Sequence, residues 1–180
     1  PPRGLGAMWR AFDVRPEVAD QVKSMGADFL LLEFECDDEG GTSGCYAKTM
    51  SPEFIEAEMA LFAAQAKDVD IIITTALIPG KQAPTLITKP MVESMRPGSV
   101  VVDLATEQGG NCQVSVQDKV VQHAGVHIIG YSDLPSRLAN TASQLYGTNL
   151  FHVLDDMGGA ENFRVDMQDS VIRGMAVAKD

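Results

Sequence analysis

An aspartate that closes a short apolar strand is a residue type able to hold a sugar diol. Asp13 ends the run Met8 to Phe12, and Val14 and Arg15 follow before Pro16 and Glu17 open a segment with Val18, Val22 and Met25 at helical spacing. A carboxylate in that place accepts both hydrogen bonds of an adenosine ribose and repels a 2′-phosphate, which points to NAD rather than NADP. Arg15 pulls the other way, because a nearby arginine is how such sites accommodate a 2′-phosphate. Beside Asp13 the balance stays with NAD. An aspartate three residues ahead of a helix also fits a plain N-cap, and the spacing leaves both readings open.

Other constellations are weaker. His123, His127 and Cys112 share no metal-ligand spacing, and no acid completes a tetrahedral set. Ser136 and Ser143 lack a glycine elbow and a suitably related histidine. The residues directly after two further apolar runs, Thr75-Ala76-Leu77 and Asp103 to Asn111, matter by position, since ligands of an open α/β sheet bind outside the carboxyl ends of its strands.

The elements that must position these residues alternate. Phe29 to Leu32 has the length of a buried strand, and Ser51-Pro52-Glu53 is a helix start whose apolar face runs from Phe54 to Ala66. Val69 to Thr75 and Val100 to Leu104 have the β-branched content of strands buried on both faces, with two turns of helix from Thr88 to Met95 between them. Val126 to Ile129 is a further strand, and Leu138, Ala142, Leu145, Leu150, Val153 and Leu154 mark a long helix starting at Pro135. Gly158 to Asp180 is weakly patterned. Such alternation predicts an α/β fold, a Rossmann-like doubly wound parallel sheet.

Between Glu33 and Ser51 the chain turns acidic and then glycine-rich, with no period of either kind. A connection this long is usually a functional lid or a spacer. The organisation expected is a partial Rossmann domain over residues 1–134 with a mobile loop at 33–51, followed by a closing helix and C-terminal segment over 135–180.

Composition narrows the function. The 180 residues carry 14 Lys+Arg against 25 Asp+Glu, a net charge of −11, and no basic stripe, so nucleic acid is not an expected partner. No run reaches the roughly 18 apolar residues of a spanning helix, so no membrane insertion by these residues is expected. Three cysteines in no metal pattern favour a reducing compartment.

The glycine fingerprint that precedes the ribose-binding acid of a Rossmann unit by about 20 residues is not found. Gly4 and Gly6 stand too close to Asp13 to serve. The reading that follows is of a partial chain lacking the first strand and the phosphate-binding turn, the strand that the usual order places mid-sheet.

Taken in order, several segments carry a family likeness: Arg10-Ala-Phe-Asp-Val-Arg15, Tyr46-Ala-Lys48, Phe54-Ile-Glu-Ala-Glu-Met59, Thr75-Ala-Leu-Ile-Pro-Gly80, Pro97 to Ala105, Gly109-Gly-Asn111 and Gly130-Tyr-Ser-Asp-Leu-Pro-Ser-Arg137. Together they resemble the NAD(H)-binding domain I of proton-translocating NAD(P)+ transhydrogenase. The resemblance implies that Asp13, Val14 and Arg15 hold the adenosine end of NAD(H), and that Ala76 and Leu77 line the adenine side. Cys45 and Tyr46 belong to the mobile loop that folds over the nucleotide, and Glu58 matches a binding position. Cys45 stands where the family has glycine, so a loop conformation with φ > 0 would be resisted there.

By the same resemblance the enzyme passes hydride between NAD(H) here and NADP(H) held by a partner domain. A membrane domain couples that transfer to proton movement. The chain would work as a homodimer on the soluble face of a bacterial inner or mitochondrial inner membrane. No catalytic acid or base is expected, because direct hydride transfer asks the protein for position. Two alternatives stand beside this reading: an alanine dehydrogenase-like enzyme, against which the tyrosine loop and the Tyr131 to Arg137 segment argue, and a non-catalytic structural fragment.

Overall fold

The structure, a computed structural model, describes residues 6–15, 18–32, 51–77 and 80–177. The 33–51 loop, Ser51 apart, lies outside the described residues, and Cys45 and Tyr46 with it.

The chain is mixed α/β and its strands are mostly parallel. In order come β1 (Arg10–Ala11), α1 (Val18–Ser24), β2 (Asp28–Phe29), α2 (Pro52–Ala66), β3 (Ile71–Thr74), α3 (Lys89–Ser94), β4 (Val100–Asp103), β5 (Val120–His123), β6 (Val126–Ile129), α4 (Leu134–Arg137), α5 (Ala139–Asp156) and α6 (Ser170–Met175). The first two strands pair in parallel, Arg10 opposite Asp28. The remaining four form a sheet in the order β3-β4-β6-β5, with Ile71 opposite Val100 and Val101 opposite Ile128.

The start of α2 has a local cause. Ser51 stays extended and its Oγ accepts the Phe54 N–H at 3.1 Å, while Pro52 starts α2 with its φ already set. One strand escaped the sequence reading: β5 runs antiparallel to β6 at the sheet edge. Ala124 and Gly125 join the two with φ of 49° and 81°, the sign a two-residue hairpin needs at both positions.

The core of the first compact unit, Pro1–Tyr131, lies on one face of the larger sheet. Val101, Val126 and Ile128 from the strands meet Ala66 of α2 and Met91 and Val92 of α3. At about 1.5–3 kcal/mol for each large apolar side chain removed from water, this layer outweighs the unit's surface ion pairs. Burial on both faces, expected of the central strands, does not hold for β3. Its pleat turns Ile72 and Thr74 toward α2 and α3 and sends Ile71 and Ile73 the other way, where they are 61% and 55% exposed.

The second unit, Ser132–Asp180, is helical. The long helix breaks once, at Leu138, whose φ of −122° separates α4 from α5. Its apolar stripe is present but not covered, since Leu138, Leu145, Leu150 and Leu154 are exposed. The weakly patterned tail contains α6, whose N-cap Asp169 accepts the Val171 and Ile172 N–H groups.

Candidate functional site

Asp13 lies just beyond the carboxyl end of β1, and Arg15 folds back onto it. The Arg15 Nε and one terminal nitrogen donate to the two carboxylate oxygens, each at 2.9 Å, and the Arg15 backbone N–H donates to Oδ1 at 2.9 Å. The guanidinium holds the Asp13 carboxyl below its usual range, against a smaller opposing push from burial. Asp13 therefore caps its own turn and is an ion-paired carboxylate at the same time, with a side chain 28% exposed. Val14 between the two is exposed.

Helix α2 aligns this turn with the larger sheet. Arg10 donates to Gln65 and Asp68 at 2.8 Å, while Phe12 meets Phe62, so β1 runs antiparallel to α2. Helix α2 then turns back into β3 within a few residues, so β1 and β3 point the same way. Their carboxyl ends, with Asp13 after one and Ala76 and Leu77 after the other, face the same end of the unit. Glu58 is one helical turn ahead of Phe62 and on its side of α2, toward that end. Burial pushes the Glu58 carboxyl above its ordinary value.

The turn after β3 is held by a side chain. Ala76 lies beyond the last ladder bond, from Leu104 N–H to Thr74 O at 3.0 Å. The Asn111 Oδ1 accepts the Ala76 N–H at 3.1 Å, and Nδ2 donates to the Ala76 carbonyl at 2.9 Å and to the Pro84 carbonyl at 2.8 Å. Leu77, next along, is 49% exposed and offers an apolar surface at the strand end. Asp103, fully buried at the end of β4, accepts from Ala105 N at 3.0 Å, Cys112 N at 2.9 Å and Ser115 Oγ at 2.6 Å.

The structure thus brings Asp13, Val14, Arg15, Glu58, Ala76 and Leu77 to one end of the first unit. Sequence reasoning gave Asn111 no role, although it stands in the stretch after an apolar strand and in the family-like segment Gly109-Gly-Asn111. The metal candidates are dispersed: Cys112 is buried, with its thiol pushed up by burial, and His123 Nε2 lies 2.9 Å from Glu93. Among the described residues no group of three or more His, Cys, Asp or Glu side chains could hold an ion.

The family described as "Alanine dehydrogenase/PNT, C-terminal domain" matches residues 2–180. The chain belongs to that family. It is similar to the NAD(P) transhydrogenase subunit alpha of Haemophilus influenzae, at 55% identity over 98% of this chain and 35% of that subunit. It is also similar to alanine dehydrogenase 1 of Staphylococcus aureus, at 36% identity over 76% of this chain and 38% of the relative. Among solved structures, the transhydrogenase from Sinorhizobium meliloti matches with a TM-score of 0.63 and 41% identity, covering 86% of this chain and 39% of that one. This alanine dehydrogenase/PNT domain therefore spans between about a third and a half of the length of the relatives it matches. Among the described residues, none of its helices is long and apolar enough to cross a membrane.

Proposed function

We propose that the chain is the NAD(H)-binding part of a proton-translocating NAD(P) transhydrogenase, with NADP(H) held by a partner domain and proton movement confined to a membrane domain. The observation that carries this is the 55% identity to a transhydrogenase alpha subunit over nearly the whole chain, against 36% over three quarters of it for an alanine dehydrogenase. A homodimer on the soluble face of an inner membrane, bacterial or mitochondrial, completes the reading. So does a division into a partial nucleotide domain up to residue 134 and a closing segment over 135–180.

The residues at the strand ends fit the adenosine half of NAD(H). Asp13 is ionised and partly exposed, which suits a diol acceptor, and Arg15 sets its orientation before any sugar arrives. The ion pair also tempers the repulsion of a 2′-phosphate, so discrimination against NADP(H) is weaker than an unpaired carboxylate would give. Leu77 offers its exposed side chain to one face of the adenine, and Val14 packs beside the ribose. Glu58, raised by burial, closes the α2 side. Cys45 and Tyr46 belong to the loop that covers the nucleotide.

The bound nicotinamide supplies the chemistry, giving or taking a hydride at its ring. These residues supply position: they fix the adenosine end so that the far end is presented to the partner nucleotide. None of them needs to move a proton.

The test is hydride transfer from NADPH to an oxidised NAD analogue by the full-length protein assembled with its partner domains. Transfer without any added oxo acid supports the proposal. NADH oxidation that requires pyruvate and ammonia, with no transfer between nucleotides, would assign the chain to the alanine dehydrogenase branch instead.

A further inference from the structure

We infer that Asn111 is a positioning residue for the adenosine end of the nucleotide site, acting through the Ala76–Leu77 turn. The inference rests on the adenine-side reading of that turn given above.

The strand ladder stops before Ala76, which leaves its part-buried N–H and C=O without strand partners. Asn111 answers both with one amide, accepting from Ala76 N and donating to Ala76 O, as a neighbouring strand would. Its second amide hydrogen goes to Pro84 O, and its backbone carbonyl accepts from Leu86 N and Ile87 N at 2.8 and 2.9 Å. One fully buried residue therefore grips both ends of the segment that begins at Ala76. The partners fix the amide's orientation, since exchanging Oδ1 and Nδ2 would set donor against donor at Ala76.

Only asparagine meets this demand. Aspartate keeps the acceptor but loses both donors, leaving two carbonyls unpaired and a carboxylate buried, and glutamine is longer by a methylene. The loop that presents Asn111 is itself anchored. Asp103 binds the N–H groups on either side of it, at Ala105 and Cys112. Gly110 adopts φ +84°, and a Cβ there would lie 2.7 Å from both Asp103 Oδ2 and Ser115 Oγ. A side chain at position 110 would push this anchor apart.

The consequence is pre-organisation. A turn already held by the β4 loop presents Leu77 without being ordered by the ligand, which removes that cost from binding. The β4 loop so becomes part of the nucleotide site without touching the nucleotide.

The experiment uses the full-length protein with Asn111→Asp and Asn111→Ala, and Leu77→Ala as a probe of the turn itself. Three quantities are read: the Kd for NADH and for 5′-AMP, the KM and kcat of hydride transfer, and hydrogen exchange at the Ala76 amide. The expected result is a rise of about ten-fold in both Kd values and in the NAD-side KM, the scale of losing a few net hydrogen bonds, with kcat at saturation within about two-fold of the parent. Ala76 exchange should be slow in the parent protein and fast in Asn111→Ala. A general loss of structure would lower kcat as well, and that pattern contradicts the inference.

Folded Asn111 variants with unchanged Kd values overturn it, and so does fast Ala76 exchange in the parent, a measurement that needs no variant. If the parent binds NADH but Leu77→Ala leaves the 5′-AMP affinity unchanged, the inference falls while the proposed function stands. If the parent binds no NADH, the proposed function itself has failed.

Discussion

Phe12 and Phe62 meet edge to face, with ring centroids 5.1 Å apart and planes at 89°. This contact ties the last residue before Asp13 to the middle of α2, the helix that leads into β3. It joins the short β1–β2 pair to the four-stranded sheet, and with it Asp13 to the end of β3 that carries Ala76 and Leu77.

Removing it should therefore loosen the site as well as the core. Phe62→Ala is expected to cost about 2–4 kcal/mol in denaturant unfolding, toward the lower end of the range for phenylalanine truncations because Phe62 is only half-buried. NADH affinity should fall in the folded variant too. Phe62→Leu, which keeps much of the apolar contact, should lie between.

The Asp13–Arg15 pair sets an acid-side dependence of stability. The folded carboxyl titrates below its unfolded value of about 3.9, so its contribution is fully present above that pH and is lost as pH falls through the lowered value. Unfolding measured from pH 7 down to about pH 3 should show a steeper acid loss in the parent than in Asp13→Asn. Between about pH 6 and 8 the carboxylate stays ionised, and this group should add no pH dependence to NADH binding.

Glu58 has the opposite sign. Burial raises its folded value, so the native state holds the proton more tightly, and stability falls as pH rises from the unfolded value of about 4.3 through the raised one. Glu58→Gln should remove that slope and leave the folded domain more stable than the parent at neutral pH, as read by thermal melts across the range. A binding role predicts that the same substitution weakens NADH affinity, so the gain in stability and the loss in affinity should appear together.

The parts of the fold legible in the sequence are those where a local signal agrees with the tertiary need. Ser51-Pro52 starts α2 because the cap and the fixed proline φ suffice without help from the rest of the chain. Asp13 stood out as a candidate because its place after a strand, more than its type, is where an open α/β sheet binds ligands. The β5 strand was not, since Val120 and Val121 are too few for a periodic pattern. The telling residues were the turn pair Ala124-Gly125, where an alanine stands at a position with positive φ. Ile71 and Ile73 misled in the other direction, because a β-branched run says strand but not which faces are covered. Asn111 stood out only as the end of Gly109-Gly-Asn111, and its contact was not legible, because an amide that bonds a backbone 35 residues away gives no periodic signal.

The central claim, that these strand ends form an NAD(H) site, is tested most directly by NADH fluorescence titration of the full-length protein beside its Asp13→Asn variant. The account predicts saturable NADH binding, weaker NADPH binding, and a loss of about ten-fold or more in NADH affinity on Asp13→Asn, the scale of hydrogen bonds to a charged acceptor. Unchanged affinity in a folded Asp13→Asn protein, or no NADH binding by the parent, would contradict it.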